Sequence, residues 1–417
     1  MIPDPVFEQN LINKQIDNDG INGQVLTSRI SSITQLGLTS LNGGFSLITN
    51  LQGIEGFVAL EKLELSGNDG GITSITINNN LNLKELYFYG NYIINLVVSA
   101  PLLETLAVEN PSPLLQSLDI TNCPALKNLF CYANSLTSLN ISNNPELEIL
   151  DLSYNLLTQI NISNKPQLRI FSCWNNLITS LDLTNCPLLT NLYVGNNNLT
   201  SLNVSQNNLL KILSCSNNNL TFLNVTQNIV LKSLACAINN ITSLNLQNNP
   251  DLELVLCQNN NLVQINAQNG SNNLLNGTFV NGQNTIPRFN ATNNPNLRCI
   301  LVDDVANCQA NWTYIDPVSN FVASQSACDN LLSNKLFSAN KFKVYPNPTT
   351  KTVNIDFGQN LDTATITLTN FLGQVVANKT INNLDKTSLD INEASGIYFL
   401  EIVNDKLEKQ VFKILKD

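Results

Sequence analysis

Apolar and polar residues alternate through the middle of the chain in a phrase that returns every 21 residues. The phrase reads LxxLx(C/L/V)xxNxL. Its first leucine recurs at a constant interval of 21 residues, at Leu126, Leu147, Leu168, Leu189, Leu210, Leu231 and Leu252. Less regular copies begin at Leu60, Leu83 and Leu103. One unit is too short to bury its own apolar edge, so the units must stack and share one continuous core.

The first half of each unit has the period-2 pattern of a β-strand. Leu126, Leu129 and Cys131 take inward positions, and Phe130 faces solvent. The second half also alternates, in the segments 139–142, 160–163, 202–205 and 223–226. Helical periodicity is absent there and the period leaves little length for a helix, so we expect short extended segments on that side too.

These phrases resemble those of the leucine-rich repeat family over roughly residues 30 to 300. The resemblance implies a solenoid whose strands line a concave face and whose second halves form the convex side. It also implies that the asparagine of each phrase points inward and hydrogen-bonds backbone groups that the turn leaves unpaired. These asparagines, which we interpret as structural, are Asn68, Asn91, Asn134, Asn155, Asn176, Asn197, Asn218, Asn239 and Asn260.

The ten cysteines fall into separate groups. Five share an inward strand position that other units fill with leucine or valine: Cys131, Cys173, Cys215, Cys236 and Cys257. We expect free core thiols here, although a rung spacing of about 4.8 Å does not by itself exclude a bond between Cys215 and Cys236. Cys123 and Cys186 share another phase, but three rungs hold them about 14 Å apart, too far for a disulfide.

The two ends of the repeat region are typical of caps. Residues 297–328 resemble the C-terminal cap of bacterial leucine-rich repeat proteins and contain three cysteines. We expect Cys299 and Cys328 to form a disulfide, which leaves Cys308 over; without CxxC pairs or histidine, we expect no zinc site. At the other end, residues 1–29 resemble the N-terminal cap of related surface proteins.

In that N-terminal cap, Val6, Phe7, Leu11 and Ile12 lie at helical spacing and predict a short helix over the first rung. The acidic loop 17–20 lacks the flanking ligands of a calcium loop, so we interpret it as a polar turn.

The composition changes after residue 328. Residues 329–343 are typical of a linker, and 344–417 show short alternating pieces separated by Asn, Gly and Asp, which indicate a small Ig-like β-sandwich. The order and spacing of its landmarks resemble the type A C-terminal sorting domain of the type IX (Por) secretion system of Bacteroidetes. The residues that carry this resemblance are Tyr345, Pro346, Asn347, Pro348, Leu372, Gly373, Gln374, Val375, Gly396, Ile397, Tyr398 and the stretch 413–416. Asn370 departs from the family, in which an acidic residue is common at that place.

This resemblance implies that the C-terminal domain is a targeting signal for export. We expect that a signal peptide absent from this sequence takes the protein across the inner membrane. The C-terminal domain would then guide it through the outer membrane and be removed. The remainder would stay on the cell surface or be released, and an oxidising exterior agrees with a disulfide.

Charge and composition narrow the functions further. The formal charge of −10 argues against nucleic acid or an anionic membrane as partner, because either would require a basic face. The absence of histidine removes imidazole metal sites and Ser-His or Cys-His nucleophiles. The outward strand positions hold Glu64, Glu109 and Asp151, but no two of these lie on adjacent rungs, so we expect no enzyme.

The outward strand columns are where the units differ from one another. Six of their residues are aromatic: Tyr87, Tyr89, Phe130, Tyr132, Trp174 and Tyr193. Exposed aromatic side chains on a rigid sheet offer large contact area at small entropic cost, as recognition of a protein or a glycan requires. Aromatic neighbours on adjacent strands also stabilise a sheet without any ligand, so packing alone stays open.

The sequence therefore predicts a mainly β protein: cap 1–29, leucine-rich repeat solenoid 30–296, cap 297–328, linker 329–343 and sorting domain 344–417. We expect a monomer without cofactor, metal or transmembrane segment that recognises an extracellular protein or polysaccharide on its concave face. The alternative is an ice-binding or purely structural solenoid that uses convex ladders of Thr, Asn and Ser. Those ladders begin at Thr137, Asn140 and Ser142 and repeat with the period.

Overall fold

The structure is a computed structural model. It describes residues 1–41, 46–68, 70–110, 114–282, 284–332, 342–404 and 408–417. The chain forms two compact units, Met1–Ala323 and Ser324–Asp417. Most of the expected linker, at 333–341, lies outside the described residues. No helix in the described ranges has the length and apolar character needed to cross a membrane.

Strands dominate both units, and they are short in the first unit and longer in the second. The helices are α1 Pro5–Asn13, α2 Thr27–Ile30, α3 Val305–Asn311 and α4 Gln325–Leu332, with 3-10 turns at Ile54–Gly56 and Asn272–Leu275. The strands of the first unit are β1 Gln35–Thr39, β2 Lys62–Asn68, β3 Ser74–Ile77, β4 Glu85–Asn91, β5 Asn95–Val98, β6 Thr105–Glu109, β7 Ser117–Asp119, β8 Asn128–Phe130, β9 Ile149–Asp151, β10 Ile170–Ser172, β11 Asn191–Tyr193, β12 Ile212–Ser214, β13 Ser233–Ala235, β14 Ser243–Asn245, β15 Leu254–Leu256, β16 Gln264–Asn266, β17 Thr278–Asn281, β18 Asn284–Pro287, β19 Phe289–Asn290, β20 Cys299–Leu301 and β21 Asn320–Val322. Those of the second unit are β22 Lys343–Tyr345, β23 Thr352–Asn370, β24 Val375–Asp390, β25 Gly396–Asn404 and β26 Lys409–Lys416.

One twelve-stranded parallel sheet forms the concave face, in the order β1-β2-β4-β6-β8-β9-β10-β11-β12-β13-β15-β19. Successive units pair in register, so that Ile170 lies beside Asn191 and Ser172 beside Tyr193. The middle residue of each three-residue strand is buried and its neighbours face outward, as the period-2 pattern predicts. Equivalent side chains of all units therefore form straight columns across the sheet.

Ten of the twelve concave strands have a residue with left-handed backbone at their end or shortly beyond it. Ten residues occupy this column, with φ between +52° and +62°: Gly67, Gly90, Ala133, Tyr154, Asn175, Asn196, Asn217, Ile238, Asn259 and Asn293. Glycine and asparagine adopt this conformation at least cost, which explains why most units use them. Tyr154 and Ile238 are the bulky exceptions.

The next residue is the predicted inward asparagine, and the prediction is confirmed. All nine side chains are buried. In Asn176, the amide nitrogen donates to the carbonyls of Leu152 and Cys173 at 3.0 Å each, and its oxygen accepts from the Leu157 amide at 2.9 Å. One side chain thus satisfies backbone groups of two successive turns.

A second buried column runs along the convex side and was not predicted. In it, Asn207 donates to the carbonyls of Leu183 and Cys186, and Asn144, Asn228 and Asn249 repeat the pattern one or more rungs away. Cys123 and Cys186 occupy the same column, and the Cys186 thiol donates to the Ile162 carbonyl at 3.4 Å. These two cysteines therefore replace an amide as a backbone donor, and both are free thiols.

Among the described residues, the convex side of the repeats contains no α-helix, and only the 3-10 turns at Ile54–Gly56 and Asn272–Leu275 are helical. It forms fewer strands than its alternation suggests. Sheets appear at its two ends, β3-β5-β7 and β14-β16-β20-β21. The four segments 139–142, 160–163, 202–205 and 223–226 are not strands, which corrects that part of the expectation. Their hydrogen bonds run within the unit instead, since Asn140 accepts from the Ser142 amide at 3.0 Å.

Both caps close the core as expected. In α1, Phe7 and Leu11 are fully buried, and Asp4 accepts from the amides of Val6 and Phe7 at its N-terminus. The acidic loop is a turn in which Asp17 accepts from the Asn18 amide. At the other end, Trp312 stacks on Phe289 with ring centroids 4.1 Å apart.

The predicted disulfide between Cys299 and Cys328 is confirmed. Cys308 is left as a buried free thiol, and it donates to the Asn272 side chain at 3.7 Å. The five cysteines in the core strand column are free and buried as well, so Cys215 and Cys236 do not bond to each other.

The second unit is an antiparallel β domain with its own core. β23 pairs with β22, β24 and β25, and β26 pairs with β25. A register shift between Asp356 and Leu361 interrupts the long β23–β24 pairing. Alternate residues of β23, including Val353, Ile355 and Phe357, are fully buried in this core.

We predict that Asn176→Ala lowers the free energy of unfolding by about 3 kcal/mol, because it leaves buried amide and carbonyl groups of three residues unpaired. Asn175→Gly is the matched control: it changes the neighbouring exposed residue, whose φ of +58° glycine accepts, and should shift stability little. Chemical denaturation of both variants measures this, and equal stability would contradict the structural role of the column.

A second prediction follows from the buried thiols. Burial raises the pKa of Cys236 to about 12 and that of Cys186 to about 11. In the unfolded chain a thiol ionises near pH 8.5, so the stabilisation is complete below about that pH and is lost as pH rises towards the folded-state pKa. In that pH window, each buried thiol should lower the free energy of unfolding by about 1.4 kcal/mol per pH unit.

The control is Cys236→Val, which uses the residue that Val194 places in the same column. Unfolding free energies at about pH 8 and pH 10 should fall less in this variant than in the wild type. An equal fall in unfolding free energy in the variant and the wild type would show that the Cys236 thiol does not contribute to the pH dependence of stability.

Candidate functional site

The six aromatic residues predicted for the concave face lie on β4, β8, β10 and β11 or just beyond their ends. The structure does not gather them into one patch. Tyr87 and Tyr89 lie towards the N-terminal end of the sheet, with β6 between them and the central group. The central group consists of Phe130, Tyr132, Trp174 and Tyr193, on β8 to β11.

The polar and aromatic groups of the N-terminal pair are already engaged by neighbours. The two rings stack with centroids 5.6 Å apart, and the Lys62 ammonium lies 4.8 Å from the centre of the Tyr87 ring. The Tyr87 hydroxyl donates to Glu85 at 3.1 Å. Burial and then the charge of Glu85 raise the pKa of Tyr87 to about 12. These contacts favour a role in packing for Tyr87 and Tyr89.

The central group borders a hollow of about 380 Å³ in the concave face. Its lining residues are Tyr132, Asp151, Ser153, Tyr154, Ser172, Trp174, Tyr193 and Ser214. Three of the predicted aromatics are thus brought together, while Phe130 is not among the lining residues. The hollow is at the small end of the range for ligand sites, about 300 to 1,000 Å³, and combines aromatic rings with a few polar groups.

Tyr154 is the lining residue that the sequence analysis missed. It occupies the left-handed column with φ +55°, where a non-glycine residue other than Asn or Asp costs about 1–2 kcal/mol. Its ring meets Trp174 edge-on, with centroids 5.0 Å apart and planes at 85°. The ring is 45% exposed, so burial does not offset this cost. Aligning the units would have shown Tyr154 in a column of Gly and Asn.

Trp174 is positioned by the unit that follows it. A Cβ placed on Gly195 would lie 2.7 Å from the Cδ1 and Nε1 atoms of the indole, so Trp174 covers the glycine directly. Gly195 is consequently buried, although it belongs to an outward column. The absence of a side chain at this single position lets the indole lie against the sheet.

Hydrogen bonds fix the polar groups beneath the rings. Asp151 accepts from the Ser153 amide at 3.0 Å, and the hydroxyls of Ser153 and Ser172 are 2.5 Å apart. Asn191 donates to the Tyr193 hydroxyl at 3.1 Å. Asp151 is the one carboxylate among the lining residues, which include no lysine or arginine.

A ladder of ion pairs lies at the start of the concave strands. The pairs are Glu61–Lys84, Glu104–Lys127, Glu148–Arg169 and Lys232–Glu253, at 3.1 to 3.6 Å. Their side chains are about half exposed, so each contributes little to stability, about 0 to 1 kcal/mol. The charges of each pair offset one another, and Asp151 is the charged residue that lines the hollow.

Two of the convex ladders, those that begin at Asn140 and Ser142, use polar groups internally. Asp182 accepts from both the amide and the hydroxyl of Thr184, and Asn224 does the same for Thr226, with hydroxyl distances of 2.7 Å. These side chains close turns, which is a structural use of the repeated Asn-x-Ser/Thr triplet.

In the second unit, the motif residues hold the domain together. Asn347 donates to the Lys413 carbonyl and accepts from the Leu415 amide, both at 2.8 Å, and so fixes the C-terminal strand. The buried Tyr398 donates to the Ala394 carbonyl at 2.6 Å. Gly373, with φ +81°, forms the turn between β23 and β24.

The Asn370 oxygen accepts from the amides of Leu372 and Gln374 in that turn, as a carboxylate at this position also could. Of the remaining motif residues, Tyr345 ends β22, Pro346 and Pro348 follow that strand, and Gly396 begins β25. Among the described residues, no three acidic or cysteine side chains gather into a group that could hold a metal ion.

Comparison with known proteins agrees with both units. Residues 343–417 match the family described as "Secretion system C-terminal sorting domain". This segment directs export by type IX secretion, and the protein is therefore located at the cell surface or secreted. No curated protein matches the sequence.

Among solved structures, the functional domain of InlJ from Listeria monocytogenes, which includes a cysteine ladder, is 20% identical. The match covers 100% of this chain and 97% of that chain, with a TM-score of 0.51. An internalin, InlF, from the same species is 22% identical over 78% of this chain and 96% of its own, with a TM-score of 0.49. The first likeness supports the fold, and the predicted leucine-rich repeat solenoid is confirmed.

Proposed function

We propose that the solenoid of this exported protein recognises an extracellular protein or polysaccharide through the central part of its concave face. The observation that carries the proposal is the hollow in which Tyr132, Tyr154, Trp174 and Tyr193 meet around Asp151. Aromatic side chains with polar tips, on a rigid support, contribute disproportionately to binding energy in recognition sites.

Packing alone does not account for these rings. Tyr132 and Tyr154 are 41% and 45% exposed, and Tyr154 occupies a strained backbone conformation that asparagine fills in other units. Strain of this kind is concentrated at functional sites in proteins. Tyr87 shows the contrasting case, because its hydroxyl bonds to Glu85, its ring faces the Lys62 ammonium, and it stacks on Tyr89.

The same geometry favours binding over catalysis. Glycoside hydrolysis usually requires two carboxyl groups that flank the bond, whereas the lining of the hollow has one. The alternative of an ice-binding surface gains no support, because convex hydroxyls such as those of Thr184 and Thr226 are used in turns.

We predict that Trp174→Ala or Tyr132→Ala weakens ligand binding at least about tenfold, since each removes a ring from the hollow. A glycan array and a pull-down with the full chain identify the ligand, and calorimetric titration then gives the Kd of each variant. Phe222→Ala is the matched control, because it removes a 63% exposed aromatic ring that does not line the hollow. Unchanged affinity in both test variants would refute the site.

The sorting domain provides a separate prediction in the native host. Deletion of residues 344–417 should leave the protein in the periplasm, because the segment that directs passage across the outer membrane is lost. Fractionation and immunoblotting compare the truncated and full chains, with resident periplasmic and outer-membrane proteins as markers. Normal surface delivery of the truncated chain would contradict the assignment.

A further inference from the structure

We propose that the hollow is a subsite for a neutral pyranose unit of an oligosaccharide. This proposal rests on the proposed function and specifies its ligand: an uncharged sugar rather than an acidic glycan or a protein side chain. Four features of the hollow carry it: the aromatic platform, the hydrogen-bonding groups, the charge and the size.

The platform is formed by Trp174 and Tyr154. The indole covers Gly195, so its opposite side is turned away from the sheet, and Tyr154 stands perpendicular to it at 5.0 Å. A pyranose ring presents a face of C–H groups, and the negative face of an aromatic ring attracts them. The corner between two perpendicular rings therefore offers one surface beneath the sugar and a second along its edge.

The polar groups around this platform suit hydroxyls. Asp151 supplies acceptor oxygens, and Ser153, Ser172 and Ser214 supply hydroxyls that both donate and accept. Sugar hydroxyls have the same dual capacity, so they can be satisfied by this set in a site that is mostly aromatic. The Ser153 and Ser172 hydroxyls already bond to each other at 2.5 Å, so each keeps part of its hydrogen-bonding capacity for a ligand.

The charge of the hollow selects against anions. Asp151 lines it, no lysine or arginine does, and the nearby basic side chains Lys127 and Arg169 are paired with Glu104 and Glu148. The whole chain adds a formal charge of −10. Sugars with carboxylate or sulfate groups would be repelled at close range, where a neutral unit would not.

Size favours a small ligand over a protein surface. The aromatic rings that line the hollow lie on β11 or just beyond the ends of β8, β9 and β10, which is about 14 Å across the sheet. On the next rungs the outward positions are Ser216, Ala235 and Ala237, and on the other side the tyrosine pair is engaged. A stable protein interface typically buries about 800 Å² on each partner, well beyond this cluster.

The experiment separates the ring of Tyr154 from its backbone strain. Full-length protein is screened on an array of neutral and acidic oligosaccharides, and the strongest neutral ligand is titrated calorimetrically against the variants. Tyr154→Asn removes the ring and relaxes the backbone, so it should raise the thermal midpoint while weakening binding at least about tenfold. Tyr154→Phe keeps the ring and should bind within about threefold of wild type.

Ile238→Asn is the matched control. Ile238 has φ +54° in the same column but does not line the hollow, so this variant should raise the thermal midpoint and leave the Kd unchanged. Asp151→Asn should reduce the preference for neutral over acidic sugars, since it removes the charge that repels them.

Three results would overturn the sugar assignment: no glycan bound, acidic glycans bound in preference, or an affinity for the neutral ligand that Tyr154→Asn leaves unchanged. If a pull-down instead yields a protein partner whose binding is lost in Tyr154→Asn, the sugar proposal fails but recognition through the concave face stands. If a bound partner of either class is insensitive to Tyr154→Asn, Trp174→Ala and Tyr132→Ala together, the proposed function fails as well.

Discussion

In the regular repeats, the chain turns sharply after a short concave strand, and each turn leaves backbone amides and carbonyls inside an apolar core. Such groups must find partners or destabilise the fold. One asparagine per rung provides them: Asn176 bonds to three backbone groups, drawn from its own turn and from the preceding unit. The side chain is therefore both a cap for one turn and a link between two. The rest of the structure follows from this link, because it fixes the rise from rung to rung.

Because the distance from one rung to the next is constant, the outward side chains are arranged in regular rows and columns. Equivalent residues fall into columns, and a substitution at one point of a column changes a local surface without disturbing the stack. The left-handed column shows how far this tolerance extends. Nearly all its members are Gly, Ala or Asn, yet Tyr154 and Ile238 are held there with φ near +55° by the rungs on either side. At Tyr154 this places a ring over the concave face and against Trp174, where a residue of ordinary backbone would not reach.

The two cysteine groups also reflect the need to fill the core and to pair buried backbone groups. In the strand column, sulfur takes the place of Leu152 and Val194 and serves as a small apolar filler. In the second convex column, the thiols of Cys123 and Cys186 donate to backbone carbonyls as Asn207 does. One residue type thus fills two roles. The spacing of the cysteines distinguished the groups, but only the hydrogen bonds showed why the second group exists.

The period of the sequence determined the stacking and the in-register sheet, because both follow from apolar spacing. The inward asparagines and the two caps were expected from the resemblance to leucine-rich repeat proteins. The cysteine pattern likewise led to the Cys299–Cys328 pair. The period did not determine which aromatic residues meet. Tyr87 and Trp174 both occupy outward positions, but Lys62 and Glu85 engage Tyr87, while Gly195 allows the Trp174 indole to lie against the sheet and meet Tyr154. Nor did it predict the break in the convex strands or the place of Tyr154. The sequence specifies the column a residue belongs to, but the direction of its side chain depends on backbone φ and on neighbours 21 residues away, which meet only in the folded stack.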